Sequence, residues 1–317
     1  MHIYTNKVKM KKNIIYVFTG TGNSLKVAKD IAEALSDCEI ISMGSNIRYN
    51  LEEEYETIGF VFPTYYRGEP RKVREFIRLL NLQHNNNAYY YAVTTMGRYD
   101  GNTLCHIKKL LKEKGITLHY AKGLDMFSNY VISYDMRDTI AEETRQSEID
   151  FEPILQDIKN RKTNRITRIE LLQEIAYKSL IRFVPEMDKY YSVSNDCIKC
   201  GICEKVCPVG NIGLDEVGRP YFQHHCEQCV ACIQFCPKKA INYKDKTQCR
   251  KRYTHPAIKY TDLAALNGKV KSMNGVTKSA SFSSTNKSHF LGSYQPLLLI
   301  SYGKFIGCKR WVNIFRS

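Results

Sequence analysis

Eight cysteines in the second half of the chain fall into two copies of one spacing. Cys197, Cys200, Cys203 and Cys207 form a C-x2-C-x2-C-x3-C run closed by Pro208. Cys226, Cys229, Cys232 and Cys236 repeat it, closed by Pro237. A cubane iron–sulfur cluster needs four thiolates converging on one small volume, and a tight loop supplies three of them. In doubled runs of this kind the fourth cysteine serves the other cluster. The spacing therefore predicts one [4Fe–4S] cluster on Cys197, Cys200, Cys203 and Cys236, and a second on Cys226, Cys229, Cys232 and Cys207. Paired zinc sites or a disulfide scaffold are the competing reading, but zinc sites use separated ligand pairs rather than an unbroken run. With Cys at every ligand position, His224 and His225 are not expected to bind metal. Cys38, Cys105, Cys249 and Cys308 lie outside the runs and read as ordinary thiols.

A chain of 317 residues has room for two domains and a tail. No stretch of 18 apolar residues occurs, so no membrane insertion is expected. The basic start, MHIYTNKVKMKK, lacks the apolar region of a signal peptide, and Met10 offers a more ordinary beginning. A cytoplasmic setting, where thiols stay reduced, is expected. The net charge of +15 invites a nucleic-acid reading. Its distribution argues otherwise: residues 263–317 hold eight Lys and Arg with no acid, leaving +7 for residues 1–262. The basic balance suits a solvated surface or docking of an acidic redox partner protein steered by charge.

Residues 13–18 are a short apolar run suited to a strand buried on both faces. The run enters Thr19-Gly20-Thr21-Gly22-Asn23-Ser24, and Leu25, Ala28, Ile31, Ala32 and Leu35 follow at helical spacing. Strand, glycine-rich turn and helix form a phosphate cradle. A Walker loop would need a Lys that is missing, and a dinucleotide fingerprint would need Gly where Leu25 stands. What remains is a loop of hydroxyl side chains and backbone N–H groups at a helix N-terminus, which suits the phosphate of FMN. A plain capped turn stays open as the alternative.

Two more units repeat the pattern. Residues 58–62 lead into Pro63-Thr64-Tyr65-Tyr66-Arg67-Gly68, then Glu69-Pro70 and a helix with Val73, Phe76, Ile77 and Leu80 inward. Residues 89–95 enter Met96-Gly97-Arg98-Tyr99-Asp100-Gly101 and a helix with Leu104, Ile107, Leu110 and Leu111. With strands near 39–42 and 116–124, these units predict an α/β, doubly wound parallel sheet of order 2-1-3-4-5. Ligands in such sheets sit beyond the carboxyl ends of the strands. The expected FMN contacts are therefore Thr19, Gly20, Thr21, Gly22, Asn23 and Ser24 for the phosphate. Pro63, Thr64, Tyr65, Tyr66, Thr95, Met96, Gly97 and Gly101 would flank the ring. Tyr65 or Tyr66 can stack on it, with core or surface aromatics as the alternative. Arg98 and Asp100 read as surface charge.

These motifs resemble prokaryotic ferredoxin–flavodoxin fusion proteins, and the cysteine runs resemble bacterial two-cluster ferredoxins over residues 190–245. The carrying segments are TGTGNS at 19–24, PTYYRGEP at 63–70, TTMGRYDG at 94–101 and both cysteine runs, within residues 12–262. The resemblance implies a flavodoxin-like FMN domain at 12–165, a helical connector at 166–189 and an α+β two-cluster ferredoxin module at 190–250. A basic tail at 263–317, expected to be disordered, is assigned no function. Ile149, Ile154, Leu155 and Ile158 anchor a helix-prone stretch over 139–165. Ile166, Ile169, Leu172, Ile175, Ala176 and Leu180 trace a stripe expected to pack between the domains. Residues 210–221 suggest a β-hairpin and 240–243 a short strand. Ile198, Val206, Val209, Val230, Ile233 and Phe235 are expected to shield the sulfurs.

The implied function is electron transfer between FMN and two clusters to a redox partner, with no catalytic residue assigned. Two alternatives stand beside it: a flavin-dependent NAD(P)H or quinone-type reductase, and a flavin-free ferredoxin with a docking domain.

Overall fold

The computed structural model describes residues 13–44, 51, 53–166 and 169–268. Strand β1 (Asn13–Val17) runs into helix α1 (Asn23–Leu35), followed by β2 (Cys38–Ser42) and β3 (Thr57–Pro63). Then come α2 (Arg71–Leu79), β4 (Tyr89–Met96), α3 (Thr103–Lys112), β5 (Tyr120–Asp125), α4 (Ile140–Lys159) and α5 (Leu171–Ile181). The five strands pair in parallel in the order β2-β1-β3-β4-β5, as the sequence predicts.

Alternation along each strand divides the core. Ile14, Tyr16, Ile58, Phe60 and Phe62 face Val73, Phe76 and Ile77 of α2 and Ile107 and Leu111 of α3. Ile15, Val17, Val61, Tyr91 and Val93 face Leu25, Ala28 and Ile31 of α1 and Phe151, Ile154 and Ile158 of α4. Each large apolar side chain buried this way contributes about 1.5–3 kcal/mol. Gly59 stands directly across from Tyr91 in the β3–β4 register, and a Cβ there would collide with the Tyr91 ring. Gly59→Val should therefore destabilise the chain by about 1–3 kcal/mol, and a melt indistinguishable from the wild type would refute that packing account.

The second half is built from short pieces. Strand β6 (Tyr191–Val193) is followed by α6 (Ile202–Lys205), β7 (Ile212–Leu214), β8 (Pro220–Phe222), α7 (Ala231–Gln234), β9 (Ile241–Tyr243) and α8 (Tyr260–Gly268). The expected hairpin is β7–β8; the short strand at 241–243 pairs antiparallel with β6. Leu263 and Leu266 are buried in α8, so the first residues of the expected tail are helical. From residue 269 onward the tail lies outside the described residues.

One expectation fails in the connector. The stripe on α5 does not pack between the halves: Leu172 is 79% exposed and Ile175 55%, while Tyr177 is the buried residue of that helix. Polar anchoring explains it, since the inner face of α5 is claimed by hydrogen-bonding groups described below. Among the described residues no helix is long and apolar enough to cross a membrane.

Candidate functional site

The two cysteine loops share one backbone design. Each needs a tight turn to bring three thiols together, and each obtains it with left-handed residues at matching places. These are Lys199 (φ 59°) and Gly201 (φ 69°) in the first run, Gln228 (φ 54°) and Val230 (φ 55°) in the second. A β-branched residue with positive φ is strained, so Val230 is held there by its surroundings. One cavity is lined by Cys197, Cys200, Cys203 and Cys236. Another is lined by Cys207, Cys226, Cys229 and Cys232. The fold thus sorts the thiols into the two crossed groups. Among the described residues no three such side chains meet closely enough for a single metal ion. The thiols rim a volume instead, which suits a multi-iron core.

Electrostatics agrees with that core. Burial, with the neighbouring thiols adding to it, pushes Cys203 and Cys226 up to about 12 and raises Cys229 and Cys232 well above the ordinary thiol value. Four crowded thiolates need a cationic partner to stay ionised, and binding iron supplies it. Backbone N–H groups already point at sulfur: Asn211 to Cys207, Gln228 to Cys226 and Ala240 to Cys236, each at 3.2 Å. Val206, Val209, Val230 and Ile233 are buried around the cysteines, whereas Ile198, expected to shield them, is 56% exposed. The second quartet is buried; in the first, Cys200 is exposed. His224 Nδ1 donates to the Asp188 carboxylate (2.7 Å) rather than reaching a cysteine.

A cavity of about 630 Å³ opens at the carboxyl edge of the parallel sheet. Of the fourteen expected FMN contacts, Thr19, Gly20, Thr21, Asn23, Ser24, Pro63, Thr64, Tyr65, Tyr66, Thr95, Met96 and Gly97 line it. Gly22 and Gly101 do not. Gly22 (φ 103°) opens α1 and abuts Ile258; Gly101 (φ 58°) lies on the Arg67 backbone, so both shape loops rather than touch the cavity. Hydroxyls at the phosphate end are already ordered: Thr19 accepts from the Gly22 N–H at 3.2 Å, and Ser24 pairs with Thr95 at 2.8 Å. At the other end Tyr65 and Gly68 exchange backbone hydrogen bonds of 2.8 and 3.0 Å. Tyr66 and Arg67 between them are left-handed, a two-residue reversal that lifts Tyr66 toward Tyr130, 2.7 Å between hydroxyls.

Three contributors were not foreseen. Phe127, Ser128, Asn129 and Tyr130, just beyond β5, form one wall; any loop at that edge of such a sheet is a candidate. Gln228, Cys229 and Val230 of the second cysteine loop form another. A Cβ on Gly20 would collide with the Cys229 carbonyl, so the two loops touch. Finally, residues 250–258 return across the phosphate loop. The His255 N–H donates to the Thr21 carbonyl (2.9 Å), the Tyr253 hydroxyl to Asn23 Oδ1 (2.8 Å), and the Tyr253 ring stacks on Phe127. Burial, then the charge of Lys26, pushes His255 down to about 4, so its ring is neutral.

Behind the 65–68 turn lies a buried polar chain. Glu69, fully buried, receives Arg74 Nε at 2.5 Å and His106 Nδ1 at 2.6 Å; His106 Nε2 meets Glu174 of α5 at 2.5 Å. Burial opposes the charge on His106, but the two carboxylates outweigh it and raise its pKa. Burial likewise opposes ionisation of Glu174, yet Lys178 and His106 hold it down to about 2. The Tyr177 hydroxyl donates to the Glu69 carbonyl (2.8 Å), and its ring fills the space a side chain at Gly68 would need.

The 4Fe-4S dicluster domain model matches residues 196–241. The chain is 44% identical over 48 residues to an ion-translocating oxidoreductase complex subunit from Methanosarcina acetivorans, covering 15% of this chain and 18% of that one. It is 36% identical over 55 residues to polyferredoxin protein MvhB of Methanothermus fervidus, covering 16% and 12%. The chain thus spans under a fifth of the length of either relative. Over 45% of the chain and 98% of the other, it is similar to a flavodoxin of Streptococcus pneumoniae at 18% identity and a TM-score of 0.29. The fold assignment rests on strand order and register instead. The chain carries a 4Fe-4S dicluster domain beside a flavodoxin-like sheet.

Proposed function

We propose that the chain is an electron relay in which FMN occupies the cavity and two [4Fe–4S] clusters sit in the crossed cysteine quartets, passing electrons to a redox partner. The observation that carries this reading is Cys229, which lines both the buried quartet and the cavity wall. FMN, when bound, supplies the exchange between paired and single electrons, and the clusters supply single-electron transfer. The residues fit it. A cavity of about 630 Å³ is within the range for a small cofactor. Thr19, Thr21 and the start of α1 would hold the phosphate without a cation. Tyr65, Tyr66 and Tyr130 offer flat faces to a ring. The buried quartet lies toward the cavity, and the quartet with exposed Cys200 would pass electrons outward to a partner.

Anaerobic protein should contain one FMN and about eight iron atoms per chain. Thr21→Leu with Ser24→Leu should strip the flavin while iron stays near that value. Unchanged flavin content in the double variant would overturn the site assignment.

A further inference from the structure

Helix α5 wears its apolar face outward. Leu171, Leu172, Ile175, Leu180 and Phe183 are each 50% exposed or more. A helix of a globular protein ordinarily turns such a stripe to the core. Here the helix cannot rotate to do so, because Gln173 holds Arg67, Glu174 holds His106 and Tyr177 fills the place beside Gly68. Cations outnumber acids near the face, where Glu170 is exposed at its start and Glu186 beyond its end. Lys178 and Arg182 stand along its edge, the Arg182 guanidinium lying 4.6 Å from the Phe183 ring centre. Glu174, the acid of the helix, is turned inward and paired with His106 and Lys178. Ile169, 45% exposed, joins the face to a groove of about 530 Å³ whose charged lining is Lys108, Lys109, Lys112 and Arg165.

We propose that the outward face of α5 and its cationic border form a docking surface for an anionic lipid bilayer. A ridge of Leu, Ile and Phe flanked by Lys and Arg is the composition of a helix that lies in a membrane interface. Each cation near the surface adds attraction to anionic headgroups.

Co-sedimentation of the full, anaerobically loaded chain tests this with phosphatidylcholine vesicles, with and without phosphatidylglycerol. Binding is expected only to the anionic vesicles, weakening as salt rises. Leu172→Glu with Ile175→Glu should lower it at least about ten-fold, and Lys109→Gln with Arg182→Gln about ten-fold. Iron and flavin content should not change in either variant. Binding that survives the Leu172/Ile175 substitutions would refute the proposal, as would a wild-type chain that binds neither vesicle. In that second case sedimentation velocity assigns the face. A dimer dissociated by L172E/I175E gives it to a second copy instead.

Discussion

Replacing Cys229 by Ala should remove roughly half the iron, from about eight atoms per chain to about four, and lower flavin retention with it. Cys197→Ala should cost the same iron and leave the flavin in place. The contrast follows from position. Both residues line a four-thiol cavity, but Cys229 also lies on the wall of the 630 Å³ cavity and against Gly20, while Cys197 lies on the far quartet. Because ligation and folding of such a module are coupled, loss of the near cluster should loosen the 228–230 wall as well. Iron, sulfide and flavin counted together on both variants decide the matter. Equal flavin loss in the two would refute the shared-wall account.

His106→Leu should lower stability by about 3–5 kcal/mol, because it leaves the buried Glu69 and the half-buried Glu174 without their shared donor. A fall of about 10 °C or more in the thermal midpoint would report it. The pH dependence has a fixed sign. The pKa of His106 is raised on folding, so its contribution is complete below its unfolded value near 6.5 and is lost as pH rises through the folded value. Glu174 is lowered from 4.5 to about 2, so its contribution is complete above 4.5 and is lost as pH falls toward 2. The tie between α5 and the 65–68 turn should therefore be tightest from about pH 4.5 to 6.5. Hydrogen exchange of the α5 amides, followed against pH, should show protection fading above that window in the wild type and no such fading in His106→Leu. Parallel profiles would refute the assignment.

The parallel sheet was legible because β1, β3 and β4 are short apolar runs, each followed by a helix of clear period. The thiol groups were legible because their geometry is local, set by gaps of two and three residues. Direction was not. Periodicity showed a stripe through Leu172, Ile175 and Leu180 but could not say which way it faces; that was fixed by Glu174 and Tyr177, whose partners lie 68 and 108 residues away. The same distance hid the 127–130 wall and the Tyr253–Asn23 contact, which spans 230 residues. Contacts of that range leave no local pattern to read.

The return of residues 250–258 over the phosphate loop gives assembly a schedule. Thr19 to Ser24 leave the ribosome early, but the groups that close over them, Cys229, Tyr253 and His255, are synthesised more than 200 residues later. A nascent amino-terminal half lacks those walls, so secure retention of a cofactor there has to wait for the iron-bearing half. Cells starved of iron would then accumulate chains empty at both places rather than half-loaded ones.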